Sequence, residues 1–325
     1  GTSGRWYAHA SVGCLHVRPI LNLKSDRGLK SMRSIAEQTH ELVREFKGTH
    51  SGEHGDGLIR SEFLEPMLGK QLVTAFAEVK NLFDPLDTLN PGKIVRPPKM
   101  DDRSLMRYKE GYKELPVATS LDWSPWGSWT QATEMCNNNG ACRKSDPGVM
   151  CPSYRVTKDE KHVPRGRANS LRLALTGQLG PDALTSEDMH ETLSLCVGCK
   201  ACQKECPMSV DITRMKTEFL HHYHSRHGLA LRERFIAWLP RYAKWMSKFP
   251  LITNLGSGKG LLAKLGEIFI GVTSHRENPQ WRSDTFQNQQ PTTNNPENPE
   301  VVLWVDTFNT YFEPENAHAA IKILE

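Results

Sequence analysis

Residues 196–207 read CVGCKACQKECP, four cysteines in C-x2-C-x2-C-x3-C-P order. Cys196, Cys199 and Cys202 lie close enough on one tight loop to wrap a single cubane of iron and sulfur. Cys206 leads into Pro207, points away from that loop and must serve a second site. A zinc site would read differently, as two tight C-x2-C pairs with a long spacer. The run therefore demands a fourth ligand from elsewhere in the chain.

Residues 136–152 (CNNNGACRKSDPGVMCP) supply it. Cys136, Cys142 and the Cys151-Pro152 pair match the first, third and fourth positions, and Asn139 stands where the second cysteine would be. Exchanging the fourth ligands makes Cys196, Cys199, Cys202 and Cys151 a complete four-thiolate site. Cys136, Cys142 and Cys206 form a site one thiolate short. That site admits three readings: a three-iron cluster, a four-iron cluster with a non-cysteine ligand, or no cluster. An amide oxygen is a poor ligand among soft thiolates. One 4Fe-4S cluster is expected and a second stays open. Seven of the eight cysteines fall between 136 and 206 in a chain without export features, which favours metal ligation in a reducing cytosol over a disulfide framework. Cys14, the eighth, is expected as a buried small residue.

Nearer the start, YAHASVGCLH (7–16) holds His9 and His16, and SGEHGDG (51–57) sets Glu53 beside His54 among glycines. A lone histidine is usually structural. Two imidazoles and a carboxylate can hold a divalent metal and leave positions open for substrate, and the glycines let backbone approach a ligand closely. Loop histidines bonded to backbone are the competing reading.

The rest of the chain organises around these motifs. Residues 15–23 (LHVRPILNL) suggest a strand, with Pro19 at an edge or bulge. Over 26–47, Leu29, Met32, Ile35, Ala36, Leu42, Val43 and Phe46 recur at helical intervals, with Asp26 as N-cap and Gly48 as stop. A second helix is expected over 62–83, ended by Asp84-Pro85, then the turn LNPGK at 89–93. Residues 96–130 read as a connector. Helical patterns dominate 131–275. Residues 276–300 are polar and rich in proline and asparagine, the composition of a linker. VVLWV (301–305) looks like a buried strand and 314–325 like the helix after it.

At 325 residues the chain has room for two or three domains, and its net charge of +4 gives no argument for nucleic acid. No run of eighteen apolar residues occurs, and no signal peptide. Residues 229–249 place Phe235, Trp238, Tyr242 and Trp245 among Arg and Lys. They fit either a peripheral membrane-surface helix or, interrupted near Pro240, a helix packed on the ferredoxin domain, the reading preferred. A cytoplasmic location is expected, with the inner face of the membrane as the alternative.

Two resemblances join these pieces. Residues 131–228 resemble the α-helical two-cluster ferredoxin domains of succinate dehydrogenase iron–sulfur subunits and heterodisulfide reductase-like proteins. H-x6-H, S-G-E-H-G and L-N-P-G-K resemble the C-terminal half of FAD-linked oxidases of the vanillyl-alcohol oxidase type, in particular the D-2-hydroxyacid dehydrogenases. The combination is similar to the large fused flavin and iron–sulfur dehydrogenases of the YdiJ type. This resemblance implies His9, His16 and Glu53 as ligands of zinc or manganese, His54 as base and Asn90 as a flavin contact. The loop between the histidines departs from that family's H-A-G-D-G-N-L-H, carrying Ser11-Val12-Gly13-Cys14.

The expected fold is α+β: a partial FAD-linked oxidase C-terminal domain (1–98), a connector (99–130), an all-α two-cluster-type ferredoxin domain (131–228), a helical extension (229–275), a polar linker (276–300) and the start of a truncated α/β cysteine-rich domain (301–325). A fragment cut at both ends is expected, inactive alone, with the FAD-gripping half before Gly1. The implied reaction is oxidation of a D-2-hydroxy acid (D-lactate, glycolate or D-2-hydroxyglutarate) with electrons passing from FAD to a 4Fe-4S cluster and on to a quinone, cytochrome or thiol module. Arg18 or Arg60 could pair with the substrate carboxylate by a bidentate contact, a surface arginine being the preferred reading of each. The alternative is an electron-transfer subunit with no catalysis of its own, which would have no reason to keep SGEHGDG.

Overall fold

Gly4–His9 (β1) pairs antiparallel with Cys14–Pro19 (β2) through the turn at Ala10–Gly13, where Gly13 takes φ 64°. A left-handed residue closing a four-residue hairpin loop suits glycine. β2 starts one residue earlier than expected and stops at Pro19, beyond which the Ile20 N–H still donates to the Ser3 carbonyl at 2.9 Å. The β1–β2 pair is the one sheet among the described residues, so the α+β expectation rests on this hairpin alone. The computed structural model describes residues 2–258, 260–289 and 301–324.

The chain divides into two units, Gly1–Val117 with Leu175–Gln178, and Ala118–Ala174 with Leu179–Glu325. In the first, the helix α1 (Asp26–Glu45) follows the hairpin. Its cap is Ser25 rather than Asp26: the Ser25 hydroxyl accepts from the Gly28 N–H at 3.2 Å. Gly28 is required there, since a Cβ would lie 1.9 Å from the Asn22 carbonyl oxygen. The helix expected over 62–83 is two, α2 (Leu64–Leu68) and α3 (Lys70–Phe83), broken at Gly69 with φ 86°. Between residues 96 and 128 the described structure has 3-10 turns, Arg103–Leu105 and Ser124–Trp126, and no α-helix.

The second unit opens with α4 (Trp129–Glu134), α5 (Pro152–Thr157), α6 (Pro164–Leu175), α7 (Glu187–Ser194), α8 (Ala201–Glu205) and α9 (Ile212–His227). Val163, Ala168, Leu171, Leu193, Ile212, Met215 and Phe219 are essentially inaccessible to solvent and make its core. Each large apolar side chain buried this way contributes roughly 1.5–3 kcal/mol relative to exposure. A charge lies among them. Glu218 of α9 is fully buried, yet it accepts from the N–H groups of Ser120 (2.7 Å) and Leu121 (2.8 Å) and from Trp123 Nε1 (3.0 Å). Burial pushes its pKa up; the hydrogen bonds from Ser120, Trp123 and Leu121 reverse this and leave it below the usual range.

Beyond α9 come α10 (Leu231–Ala237), α11 (Leu239–Met246), α12 (Pro250–Thr253), α13 (Leu261–Ile270), α14 (Thr307–Tyr311) and α15 (Pro314–Leu324). The 229–249 segment breaks at Trp238, as Pro240 in the first turn of α11 requires. Its packing partner differs from expectation: buried Ala243 of α11 clusters with Trp281, Tyr311 and Phe312, so later parts of the chain cover it. No helix among the described residues is long and apolar enough to cross a membrane.

Two expectations for the C-terminal part are corrected. The linker reading of 276–300 fails over its first part, where Trp281, Thr285 and Phe286 are buried. Asn254 binds the Trp281 backbone on both sides, Nδ2 donating to its carbonyl at 2.8 Å and Oδ1 accepting from its N–H at 2.7 Å. Polar composition hid two aromatic anchors. Residues 290–300 of that stretch lie outside the described residues. VVLWV (301–305) is not a buried strand: it has no ladder partner, and Trp304 is 90% exposed. Among the described residues no second strand stands beside it, and that part of the chain forms the helices α14 and α15.

Candidate functional site

The hairpin register decides the first constellation. His9 stands opposite Cys14 and Tyr7 opposite His16. Side chains alternate along a strand, so Tyr7, His9, Cys14 and His16 project from one face, and His9 and His16 are diagonal neighbours within reach of each other. Their ring centroids are 4.9 Å apart. Tyr7 stacks on His16 at 4.3 Å, and Arg18, further along the same face, covers the Tyr7 ring at 4.7 Å and donates to its hydroxyl. Cys14 is half-buried, not buried as expected, with its Sγ 3.9 Å from His16 Nε2. It sits on the polar face because its register position puts it there.

The 51–57 loop brings Glu53 to this face. Three imidazole nitrogens converge on its Oε1: His16 Nε2 at 2.9 Å, His54 Nε2 at 3.0 Å and His9 Nε2 at 3.7 Å. Ligand atoms of His9, His16 and Glu53 lie within 4.8 Å of one another. A zinc ion about 2.1 Å from each donor spans donors up to about 4.2 Å apart, so small side-chain rotations would bring all three onto one ion. The donor set, two imidazoles and a carboxylate, fits a divalent metal of this kind. His54 stands beside the trio with its side chain 76% exposed. Asn90, at φ 50° in the LNPGK turn, accepts from Lys93 Nζ at 3.1 Å. Arg60 is exposed.

In the second unit the cysteines sort as their spacing requires. Cys151, Cys196, Cys199 and Cys202 line one cavity together with Pro164, Arg167 and Ile212. Cys136, Cys142 and Cys206 line another with Asn137, Asn139, Pro164 and Arg165. Pro164 is a wall common to both. A positive φ of 68° at Gly198 folds the C-V-G-C loop around its cavity. At each cavity a helix starts with an N–H aimed at a thiol: Ile212 of α9 toward Cys202, and Arg165 of α6 toward Cys142. Helix N-termini favour anions.

Two cations that the cysteine motif does not reveal complete the four-thiolate pocket. Arg167, 1% exposed, donates from Nη1 to Cys151 Sγ at 3.6 Å and from Nε to the Thr192 carbonyl at 3.0 Å; its Nη2 is buried with no partner. Lys216 Nζ donates to the Cys196 carbonyl at 2.8 Å, and burial lowers its pKa. A buried guanidinium with an unmet donor fits a pocket for a negatively charged cluster. Burial pushes the Cys202 thiol up to about 11, so it becomes a thiolate by binding metal. The four thiols and their cations fit a 4Fe-4S cluster. The other cavity does not offer four thiolates. Neither Arg167 nor Lys216 is singled out by the sequence, because neither stands within a cysteine motif.

Comparison with known proteins agrees with this division. Residues 1–94 match the FAD linked oxidases, C-terminal domain, and residues 132–210 match the 4Fe-4S dicluster domain. The chain thus joins a C-terminal FAD-oxidase domain to an iron–sulfur domain, and these matches support FAD and an iron–sulfur cluster as cofactors. A D-2-hydroxyglutarate dehydrogenase of Escherichia coli (strain K12) is 30% identical over 84% of this chain and 30% of its own length. One of Pantoea ananatis is 27% identical over 100% of this chain and 36% of its own. A probable glycolate oxidase iron-sulfur subunit of Bacillus subtilis is 34% identical over 30% of this chain and 20% of its own. The chain spans about a third of the length of the two dehydrogenases. No solved structure gives a significant match.

Proposed function

We propose that this chain is part of a dehydrogenase that oxidises a D-2-hydroxy acid, such as D-2-hydroxyglutarate, D-lactate or glycolate, to the 2-oxo acid and passes the electrons to the cluster pocket of Cys151, Cys196, Cys199 and Cys202. One observation carries the reading: His9, His16 and His54 converge on Glu53 within an FAD-oxidase-type domain.

His9, His16 and Glu53 would hold a zinc or manganese ion, whose charge lowers the pKa of a bound hydroxyl as it lowers that of water from about 15.7 to about 7. FAD supplies the two-electron acceptor and the cluster a one-electron acceptor. His54, whose Nε2 faces the Glu53 carboxylate, takes the α-hydroxyl proton at its other ring nitrogen, Nδ1. Tyr7 holds the His16 ring in place by stacking, and Arg18, on the same face, orients the substrate carboxylate. Asn90 contacts the flavin from its turn. Arg167 and Lys216 offset the negative charge of the thiolate pocket. The final acceptor is a quinone, a cytochrome or a thiol module.

The test is anaerobic reduction of the full-length protein with a panel of D-2-hydroxy acids, following flavin bleaching and the cluster spectrum together. Bleaching followed by cluster reduction with at least one of them is expected. A flavin that stays oxidised with every acid would end the proposal. Bleaching without cluster reduction would remove the electron route and leave the chemistry.

A further inference from the structure

The second thiolate cavity departs from the symmetry of its neighbour. In the loop order C-x2-C-x2-C, Cys196, Cys199 and Cys202 correspond to Cys136, Asn139 and Cys142. Each set receives its last thiol from the other motif, Cys151 for the first cavity and Cys206 for the second. The first cavity therefore has four thiols and the second three.

We propose that the Cys136–Cys142–Cys206 cavity is built for a three-iron cluster, held by three thiolates, with no protein ligand at the corner where a fourth iron would sit. The side chains on its wall leave no substitute. Asn139, at the position of the missing thiol, has both ends of its carboxamide engaged: Oδ1 accepts from the Ala141 N–H at 2.8 Å, and Nδ2 donates to Asn137 Oδ1 at 2.7 Å. The Asn137 oxygen also accepts the Asn139 N–H at 3.2 Å, so it too is committed to the loop. Arg165, the remaining polar side chain on the wall, is a cation paired with Glu160 at 2.6 Å and offers iron no lone pair. Turning the Asn139 oxygen inward would strip the Ala141 N–H of its partner and set a hard donor among soft ones. The cavity itself is retained: Cys136 and Cys142 are buried, and the Arg165 N–H at the start of α6 meets the Cys142 thiol as Ile212 meets Cys202. Three thiols from two separate motifs lining one cavity read as a cluster site. This inference is independent of the hydroxy-acid reading.

The test is iron analysis and low-temperature electron paramagnetic resonance on the full-length protein, isolated anaerobically. About seven irons per chain are expected, with the near-isotropic signal that oxidised three-iron clusters give, at close to one spin per chain. Cys136→Ser should remove that signal and keep the spectrum of the reduced four-thiolate cluster. Asn139→Cys should also remove it, raise the iron to about eight per chain and add a second four-iron spectrum. If Cys136→Ser does not fold, the Asn139→Cys comparison decides alone. About four irons per chain with no such signal would mean that the cavity is empty, and would overturn the proposal. So would about eight irons in the unaltered protein, or an iron content that rises to about eight per chain when ferrous iron and a reductant are added without air.

Discussion

His16 and Glu53 meet at 2.9 Å, Nε2 to Oε1, across a loop and a helix that separate them in sequence. The His16 ring is braced from behind by Tyr7, so it has little freedom to retreat. In the proposed metal centre, removing it would take away one ligand of three and the closest partner of the carboxylate. His16→Ala should cut metal affinity by about a hundredfold or more, beyond the 10–100-fold typical of losing a residue that only orients a ligand. Zinc and manganese analysis of the full-length protein with and without the substitution checks this. Equal metal in both would remove the metal centre.

Arg167 lies against Cys151 in a pocket where its charge is poorly screened. A unit charge about 6 Å away at an effective dielectric near 20 contributes roughly 3 kcal/mol. For one electron that is about 120 mV, an upper value. Arg167→Gln should therefore lower the potential of the four-thiolate cluster by some tens of mV, up to about 100 mV. Potentiometric titration of the cluster signal is the measurement, and an unchanged potential would show that the guanidinium is silent.

Glu218 ties the 120–123 segment to α9 with three hydrogen bonds from inside the core. Glu218→Ala leaves two backbone N–H groups and an indole N–H without an acceptor. Stability should fall by about 3–5 kcal/mol. Chemical denaturation of the holo protein, followed by circular dichroism, would register it. A loss under about 0.5 kcal/mol would mean that water takes over the carboxylate's role.

His40 and His50 face each other at 5.6 Å, and each lies 5.1 Å from Phe63. Burial lowers the pKa of both; Arg44 lowers His40 further, and His40 lowers His50. Folded, they stay neutral at a pH where the unfolded chain, with a histidine value near 6.5, takes up protons. Their contribution is complete above about pH 6.5 and is lost as pH falls through that value toward the folded ones. Thermal unfolding at pH 5 should come about 2–4 °C below that at pH 7. His40→Leu should shrink the difference. If the variant keeps the full pH dependence, the pair is not its source.

The hairpin was half legible. LHVRP announced β2, but GRWYAH alternates too weakly between polar and apolar to announce β1. Without a partner strand no register exists, so the shared face of His9, His16, Tyr7 and Arg18 could not be derived from spacing. Trp281 shows the opposite failure. Its neighbours are polar enough to read as linker, and its burial depends on α11 and α14, which lie far from it in the chain.

The cysteine sets were determined by sequence alone, because three thiols on one short loop can reach one point and the fourth, leading into proline, cannot. The same argument isolated Asn139 as the position lacking a thiol. Folding decided what local reach does not encode: that Glu53 comes to the histidine face, that Arg167 is buried against Cys151, and that the Asn139 carboxamide is spent on its own loop. Those arrangements depend on contacts between segments distant in the chain, whose cost in entropy is met by burial of a whole unit and not by any motif.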